Sequence, residues 1–190
     1  YTKFPYMYMG GGVSVGDINN DGLDDIFFTG NLVPNKLYLN KGNMKFEDIS
    51  GKAGITGNHQ WFTGSTMADV NNDGWLDIYV CVSGKYQPSD NLLFINNKDN
   101  TFTECAKAYG INDKSSSVQA TFFDYNNDSF LDLYVANYPI ILVSMGAEFY
   151  HNKMMENKFE ESGHLYKNNG DGTFTDVTDE AGVRNFGMSI

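Results

Sequence analysis

Asp17-Ile18-Asn19-Asn20-Asp21-Gly22-Leu23-Asp24-Asp25 returns as Asp69-Val70-Asn71-Asn72-Asp73-Gly74-Trp75-Leu76-Asp77 and as Asp124-Tyr125-Asn126-Asn127-Asp128-Ser129-Phe130-Leu131-Asp132. Each copy carries an acidic or amide side chain at positions 1, 3 and 5, a turn residue at position 6 and a carboxylate at position 9. Calcium takes six to eight oxygen ligands in flexible geometry, and a loop of this pattern can wrap one ion. The expected ligands are Asp17, Asn19, Asp21 and Asp25 in the first loop, Asp69, Asn71, Asp73 and Asp77 in the second, and Asp124, Asn126, Asp128 and Asp132 in the third. Position 7 offers its backbone carbonyl alone, which accommodates Leu23, Trp75 and Phe130 equally. Gly22 and Gly74 supply the sharp turn because glycine reaches positive φ without a Cβ clash. Ser129 in the third loop predicts a strained or altered turn there.

Asn-Asp-Gly also makes plain hairpin turns, but a turn does not require Asp25, Asp77 and Asp132, and their recurrence favours about three structural calcium ions. Magnesium fits less well, since it demands near-octahedral geometry and keeps several waters. Nor is the loop an EF-hand: position 12 holds Phe28, Val80 or Val135 in place of Glu, and the flanks are not helical. The segments 12–16, 65–68 and 120–123 before the loops, and 26–28, 78–82 and 133–136 after them, are rich in β-branched and aromatic residues and read as strands.

The loops begin at residues 17, 69 and 124, so a repeat of 52 to 55 residues organises the chain. Asn40, Asn96 and Asn168 each lie six residues before a Phe (46, 102, 174) and that Phe eight before a Gly (54, 110, 182). Each unit therefore reads strand, metal hairpin, strand, link, strand, turn, strand, then a short helical turn ended by glycine. Four antiparallel strands in such a length match a β-propeller blade. Units are placed at about 10–55, 62–111 and 118–183, with 184–190 opening a fourth. A closed propeller needs at least four blades, and Tyr1-Thr2-Lys3 carries neither an initiator Met nor a signal peptide; the expectation is an all-β arc of a larger propeller.

These motifs, together with Leu-Tyr-x-Asn-x-Gly, Asn-Asn-Gly-Asp-Gly-Thr-Phe-Thr-Asp-Val-Thr and Glu-Ala-Gly-Val, resemble the VCBS/FG-GAP repeat propellers related to the integrin α-subunit head. The branch most similar is the bacterial one that looks like cartilage acidic protein and often carries an ASPIC/UnbV domain. The resemblance covers nearly the whole chain and implies a seven-bladed propeller, a lipid anchor upstream, an outer-membrane surface location and association with a complex there. Departures are Ser129, Lys98-Asp99-Asn100 where other turns hold glycine, and the absence of an ASPIC/UnbV segment from these residues.

Thirteen basic and 24 acidic residues give a net charge of −11, and three divalent ions would bring this to about −5. The acidity is mostly ligand, and it argues against nucleic acid or anionic membrane contact, both of which need basic stripes. No apolar run approaches the roughly 20 residues of a membrane span. Cys81 and Cys105 occupy small or apolar repeat positions and read as buried free thiols. His59, His151 and His164 show no zinc spacing and read as surface or loop residues, and Trp61 and Trp75 read as packing residues before sugar-stacking ones. No Gly-x-Ser-x-Gly elbow or phosphate-binding loop occurs.

The distance from the last loop Asp to the Asn of the third strand is 15, 19 and 36 residues in the three units, marking an insert at about 137–163. It contains Tyr138, Pro139, Phe149, Tyr150, Met154, Met155 and Phe159, an adaptable contact surface or a cap on its own blade. Extracellular modules bind calcium at about 10⁻⁴ to 10⁻³ M, which suits an extracellular or cell-surface place. The function expected is a calcium-stabilised binding or scaffold module for a protein or glycan partner. The alternative is a propeller-type polysaccharide lyase or hydrolase with its active site in other blades.

Overall fold

The computed structural model describes residues 10–55, 57, 60–83, 90–138, 146–155 and 162–185. They form three four-stranded antiparallel sheets, each a meander of consecutive strands. The first holds β1 (Val13–Gly16), β2 (Asp25–Phe28), β3 (Lys36–Asn40) and β4 (Phe46–Asp48). The second holds β5 (Phe62–Ala68), β6 (Asp77–Val82), β7 (Leu92–Asn96) and β8 (Phe102–Glu104). The third holds β9 (Ser117–Phe123), β10 (Asp132–Asn137), β11 (His164–Asn168) and β12 (Phe174–Asp176). These are the blades of an all-β propeller architecture, in a ring that three sheets leave open. β5 and β9 begin three residues earlier than the repeat alone indicates, because their first residues are held against neighbouring strands: Gly12 N–H donates to the Thr63 carbonyl at 2.8 Å, and Thr63 Oγ1 to the Ser117 carbonyl at 2.7 Å.

Side-chain alternation explains how the sheets stack. Opposed pairs such as Ile26 with Tyr38 and Phe27 with Leu37 put alternate residues on alternate faces. Phe27, Leu37 and Leu39 pack one face of the first sheet onto Ile78, Val80, Val82 and Phe94 of the second. Tyr79, Cys81 and Leu93, on the opposite face of the second sheet, meet Ala120, Leu133, Val135, Tyr166 and Phe174 of the third. The middle strand β6 is accordingly buried at all six positions, which is why its sequence is apolar without alternation. Each such Val, Ile or Phe contributes about 1.5–3 kcal/mol when fully buried. Backbones approach closely where the first strands meet: a Cβ on Gly64 would lie 2.6 Å from the Val118 carbonyl oxygen.

Each of the first two sheets ends in one helical turn, α1 (Ser50–Ala53) and α2 (Ala106–Tyr109), stopped by Gly54 and Gly110 at φ 78°. Gly182, at φ 66°, ends the corresponding turn of the third. The region read as an insert contains α3 (Ala147–Met155), with Phe149 and Met155 exposed, while Tyr138 is buried. Pro139, Phe159, the side chains of Tyr150 and Met154, His59 and the strand expected at 186–190 lie outside the described residues. No helix among the described residues is long and apolar enough to cross a membrane.

One polar cluster joins the second and third sheets. Asp113, on the link after α2, accepts at Oδ2 from the Asn137 amide (3.1 Å) and Tyr166 hydroxyl (3.3 Å), and lies 2.6 Å from His164 Nδ1. Its Oδ1 accepts from Ser115 N–H at 2.8 Å. His164 is therefore a half-buried strand residue paired with a buried carboxylate, correcting its reading as a surface or loop position. Sequence did not show this because the pair is separated by 51 residues. Cys81 is buried and free as expected, whereas Cys105, just before α2, is only partly buried.

Burial opposes the charge of Asp113, but the hydrogen bond and charge of His164, with Ser115 and Asn137, outweigh it and hold the carboxyl low. Burial likewise opposes the imidazolium, but Asp113 and then Asp176 outweigh it and raise His164 above its ordinary 6.5. The His164 contribution is thus complete below the unfolded value and lost as pH rises through the higher folded one; that of Asp113 is lost as pH falls through its lowered value. We expect urea unfolding of the parent chain and of His164→Gln to show a stability difference that is largest near pH 5 to 6 and shrinks by about pH 9.

Candidate functional site

The three nine-residue loops fold alike and stand at the same end of their sheets, each closing the hairpin between first and second strands. At position 1 one carboxylate oxygen accepts the N–H of position 5 (Asp21 3.1 Å, Asp73 2.9 Å, Asp128 3.1 Å). The other accepts the N–H of position 6 (Gly22 2.7 Å, Gly74 2.8 Å, Ser129 2.9 Å). At position 3, Asn Oδ1 also accepts the position-5 N–H, and position 5 in turn accepts the position-7 N–H through Oδ1. Acidic and amide oxygens therefore wind the backbone into one shape before any ion is considered.

That shape puts Asn20, Asn72 and Asn127 at φ 57°, 56° and 59°, in the left-handed region, which Asn tolerates better than most residues. Ser129 reaches φ 70° and keeps the turn of Gly22 and Gly74, both at φ 84°. The third loop is thus strained at Ser129 yet keeps the hydrogen bonds of the other two. At position 7 the side chains also pack: the Phe130 ring lies over Gly170, where a Cβ would come within 2.8 Å of it.

Position 9 does more than the sequence suggested. Asp25, Asp77 and Asp132 are almost completely buried. One oxygen of each accepts the position-2 N–H of its own loop (Ile18 3.0 Å, Val70 3.1 Å, Tyr125 3.1 Å). The other accepts the N–H of the Asn that ends the third strand (Asn40 2.7 Å, Asn96 2.8 Å, Asn168 2.8 Å). The carboxylate therefore clamps hairpin to third strand. The Asn ending that strand then reaches the preceding sheet: Asn96 Nδ2 donates to the Ile18 carbonyl at 2.8 Å and Asn168 Nδ2 to the Val70 carbonyl at 3.0 Å. Position 4 links the loops directly, Asn20 Nδ2 donating to the Gly74 carbonyl and Asn72 Nδ2 to the Ser129 carbonyl, each at 3.0 Å.

Burial pushes Asp77 up to about 7, against the pull of its bonds from Asn96 and Val70, and the charges of Asp73 and Asp69 push the same way. Burial first, then the carboxylates at positions 5 and 1, also raises Asp25 and Asp132. Mutual repulsion of this kind is what a cation relieves. Among the described residues no three acidic, His or Cys side chains form a metal-holding group by themselves, so a bound ion would also draw on the Asn19, Asn71 or Asn126 amide and the carbonyl of Leu23, Trp75 or Phe130. Carboxylate, amide and carbonyl oxygens are the donor chemistry that calcium takes. The second loop has an additional cation, Lys98 Nζ at 3.3 Å from Asp73 Oδ2, where the first and third repeats have Gly42 and Gly170.

Residues 8–80 and 81–135 match the model of the FG-GAP-like repeat. Cartilage acidic protein 1 of Mus musculus is 44% identical over 69 residues, covering 36% of this chain and 11% of the relative. Its Homo sapiens counterpart is 43% identical over 72 residues, covering 37% and 11%. The matched stretch thus spans about a tenth of the length of these relatives. Among solved structures, an Agrocybe aegerita lectin, described as specifically recognising non-reducing terminal N-acetylglucosamine, aligns at 17% identity and a TM-score of 0.49, covering 88% of this chain and 38% of the lectin.

Asp77→Ala, which leaves the buried N–H groups of Val70 and Asn96 without acceptors, is expected to lower stability by about 2–5 kcal/mol even in chelator. Asp73→Ala, at a partly buried position that holds the Trp75 N–H and Lys98, is expected to change it by about 1 kcal/mol in chelator and to show its larger effect only with calcium. Urea unfolding with and without chelator separates the two.

Proposed function

Because the chain belongs to the FG-GAP-like repeat family, we propose that it works as a calcium-stabilised binding or scaffold module outside the cell, contacting a protein or glycan partner. The observation that carries this reading is the threefold recurrence of one carboxylate loop with the same internal hydrogen bonds each time, the first loop linked to the second and the second to the third. In each loop the position-1, -3, -5 and -9 oxygens and the position-7 carbonyl would hold one ion. Calcium would screen the repulsion among three carboxylates, and its role would be mechanical. An ion at ten times its dissociation constant adds about 1.4 kcal/mol.

The cellular place follows from ion supply. Extracellular modules with affinities of about 10⁻⁴ to 10⁻³ M are loaded where calcium is plentiful. The loop row and the connections at the sheet ends would present contact groups on a rigid frame, the usual arrangement for binding surfaces. A lipid-anchored position at a bacterial outer membrane, in company with a larger complex, is the setting we infer from the family resemblance.

Calorimetric titration with calcium and with magnesium, paired with thermal unfolding, tests this. We expect about three calcium ions per chain and a rise in Tm that magnesium does not reproduce. Absence of both would overturn the calcium reading. The loaded chain is further expected to be retained on an array of glycans or surface proteins in calcium and released by chelator; no retention in calcium would contradict the binding role.

A further inference from the structure

The second loop differs from the other two in the turn that stands beside it. In each sheet the residue two past the Asn that ends the third strand, Gly42, Lys98 or Gly170, donates its N–H to that Asn's Oδ1, at 2.9, 2.8 and 3.0 Å. All three have left-handed backbone, the two glycines at φ 74° and Lys98 at φ 68°. This region disfavours a residue with a Cβ, so a lysine stands where glycine makes the same hydrogen bond with less strain. A strained residue retained in a turn points to a use for its side chain.

That side chain reaches the loop. Lys98 Nζ lies 3.3 Å from Asp73 Oδ2, with the Lys98 side chain 46% and the Asp73 side chain 25% exposed. The two oxygens of Asp73, the position-5 residue, are used differently. Oδ1 accepts the Trp75 N–H at 3.0 Å, whereas Oδ2 takes the Asn71 side-chain amide at 3.1 Å and the ammonium. Oδ2 of Asp21 and of Asp128 likewise accepts from Asn19 and Asn126, but neither carboxylate forms an ion pair among the described residues. Lys167 bears on Asp128 through its charge alone. Asp99, the acid next to Lys98, is engaged elsewhere, accepting the Thr101 N–H at 3.0 Å and hydroxyl at 2.6 Å. The ammonium is therefore committed to the second loop.

On the reading above that each loop takes one calcium ion, we propose that Lys98 is a resident cation of the second loop and sets its calcium affinity, holding it below that of the same loop with glycine at this position. An ammonium supplies one of the two charges that a calcium ion brings. It relieves part of the repulsion among Asp69, Asp73 and Asp77 when calcium is scarce and opposes the ion's arrival when calcium is plentiful. At a half-exposed site in about 0.1 M salt, that opposition is worth about fivefold in affinity, because solvent and salt screen it. The second loop thus keeps part of its charge balance at low calcium, through a side chain that the turns of the first and third sheets lack.

Calcium titration of the isotope-labelled chain, followed at the amide magnetic resonance signals of Leu23, Trp75 and Phe130, reads the three loops separately, since each N–H is held by the position-5 carboxylate of its own loop. The parent, Lys98→Gly and Lys98→Gln are compared at about 0.1 M and about 1 M salt. Lys98→Gln removes the charge and keeps the left-handed strain, whereas Lys98→Gly removes both; the side chain is exposed, so far-UV dichroism should be unchanged in each. In both variants the Trp75 midpoint is expected to fall about fivefold while those of Leu23 and Phe130 stay, and the gap to the parent to shrink below about twofold at the higher salt. A fall in Lys98→Gly alone would assign the effect to backbone strain and overturn the role of the ammonium. Calcium shifts with the same Trp75 midpoint in all three chains, or a Trp75 signal that never responds while the others do, would overturn the proposal and leave calcium binding by the other loops standing. No calcium shift at any of the three signals in any chain would overturn the calcium reading and the proposal together.

Discussion

A carboxylate buried at position 9 of each loop is the constraint on which the rest depends. Asp25, Asp77 and Asp132 each accept one N–H from the hairpin and one from the end of the third strand. A hydrophobic residue there would leave two donors unmet in the protein interior, and a neutral amide could accept only through its single oxygen. The Asn held by that carboxylate then reaches into the preceding sheet through Nδ2. Local hairpin geometry and inter-sheet spacing are thereby set by the same pair of side chains.

This also explains why the loops tolerate change where they do. Position 7 admits Leu, Trp or Phe because its N–H is what the loop holds. Position 6 admits Ser129 at φ 70° because Asp124 holds its N–H and Asn72 of the neighbouring loop holds its carbonyl. Left-handed backbone costs a non-glycine residue about 1–2 kcal/mol, and bonds on both sides offset that cost. Lys98 and Asn100 show the same tolerance in the turn between β7 and β8, at φ 68° and 66°.

Much of the fold was legible in the sequence because the repeat is written in residues with strong local preferences. Asp, Asn and Gly fix the hairpins, the glycines at 54, 110 and 182 end the helical turns, and the apolar run of β6 announces burial on both faces. The buried-acceptor role of the position-9 carboxylates was not legible, since the same residue type is what a metal ligand would require. The position-4 Asn looked like turn chemistry alone, because its acceptor lies 54 or 57 residues away on the next sheet. Asp113 and His164 were hidden for a different reason. They occupy places where the repeat holds Gly57, and Lys36 or Leu92, so the pattern that revealed everything else was silent there.

Calcium, where it is proposed to bind, would complete a scaffold already shaped by its own hydrogen bonds, and the two contributions would act on different amides. Amide hydrogen exchange measured with calcium and with chelator separates them most directly. The N–H groups of Ile18, Val70, Tyr125, Asn40, Asn96 and Asn168 are predicted to exchange slowly in both conditions. Those of Asp21, Asp73 and Asp128, and of the position-6 residues, are predicted to slow markedly when calcium is added. Fast exchange of the first group in chelator, at the rate of exposed loop amides, or no calcium effect on the second, would contradict the account.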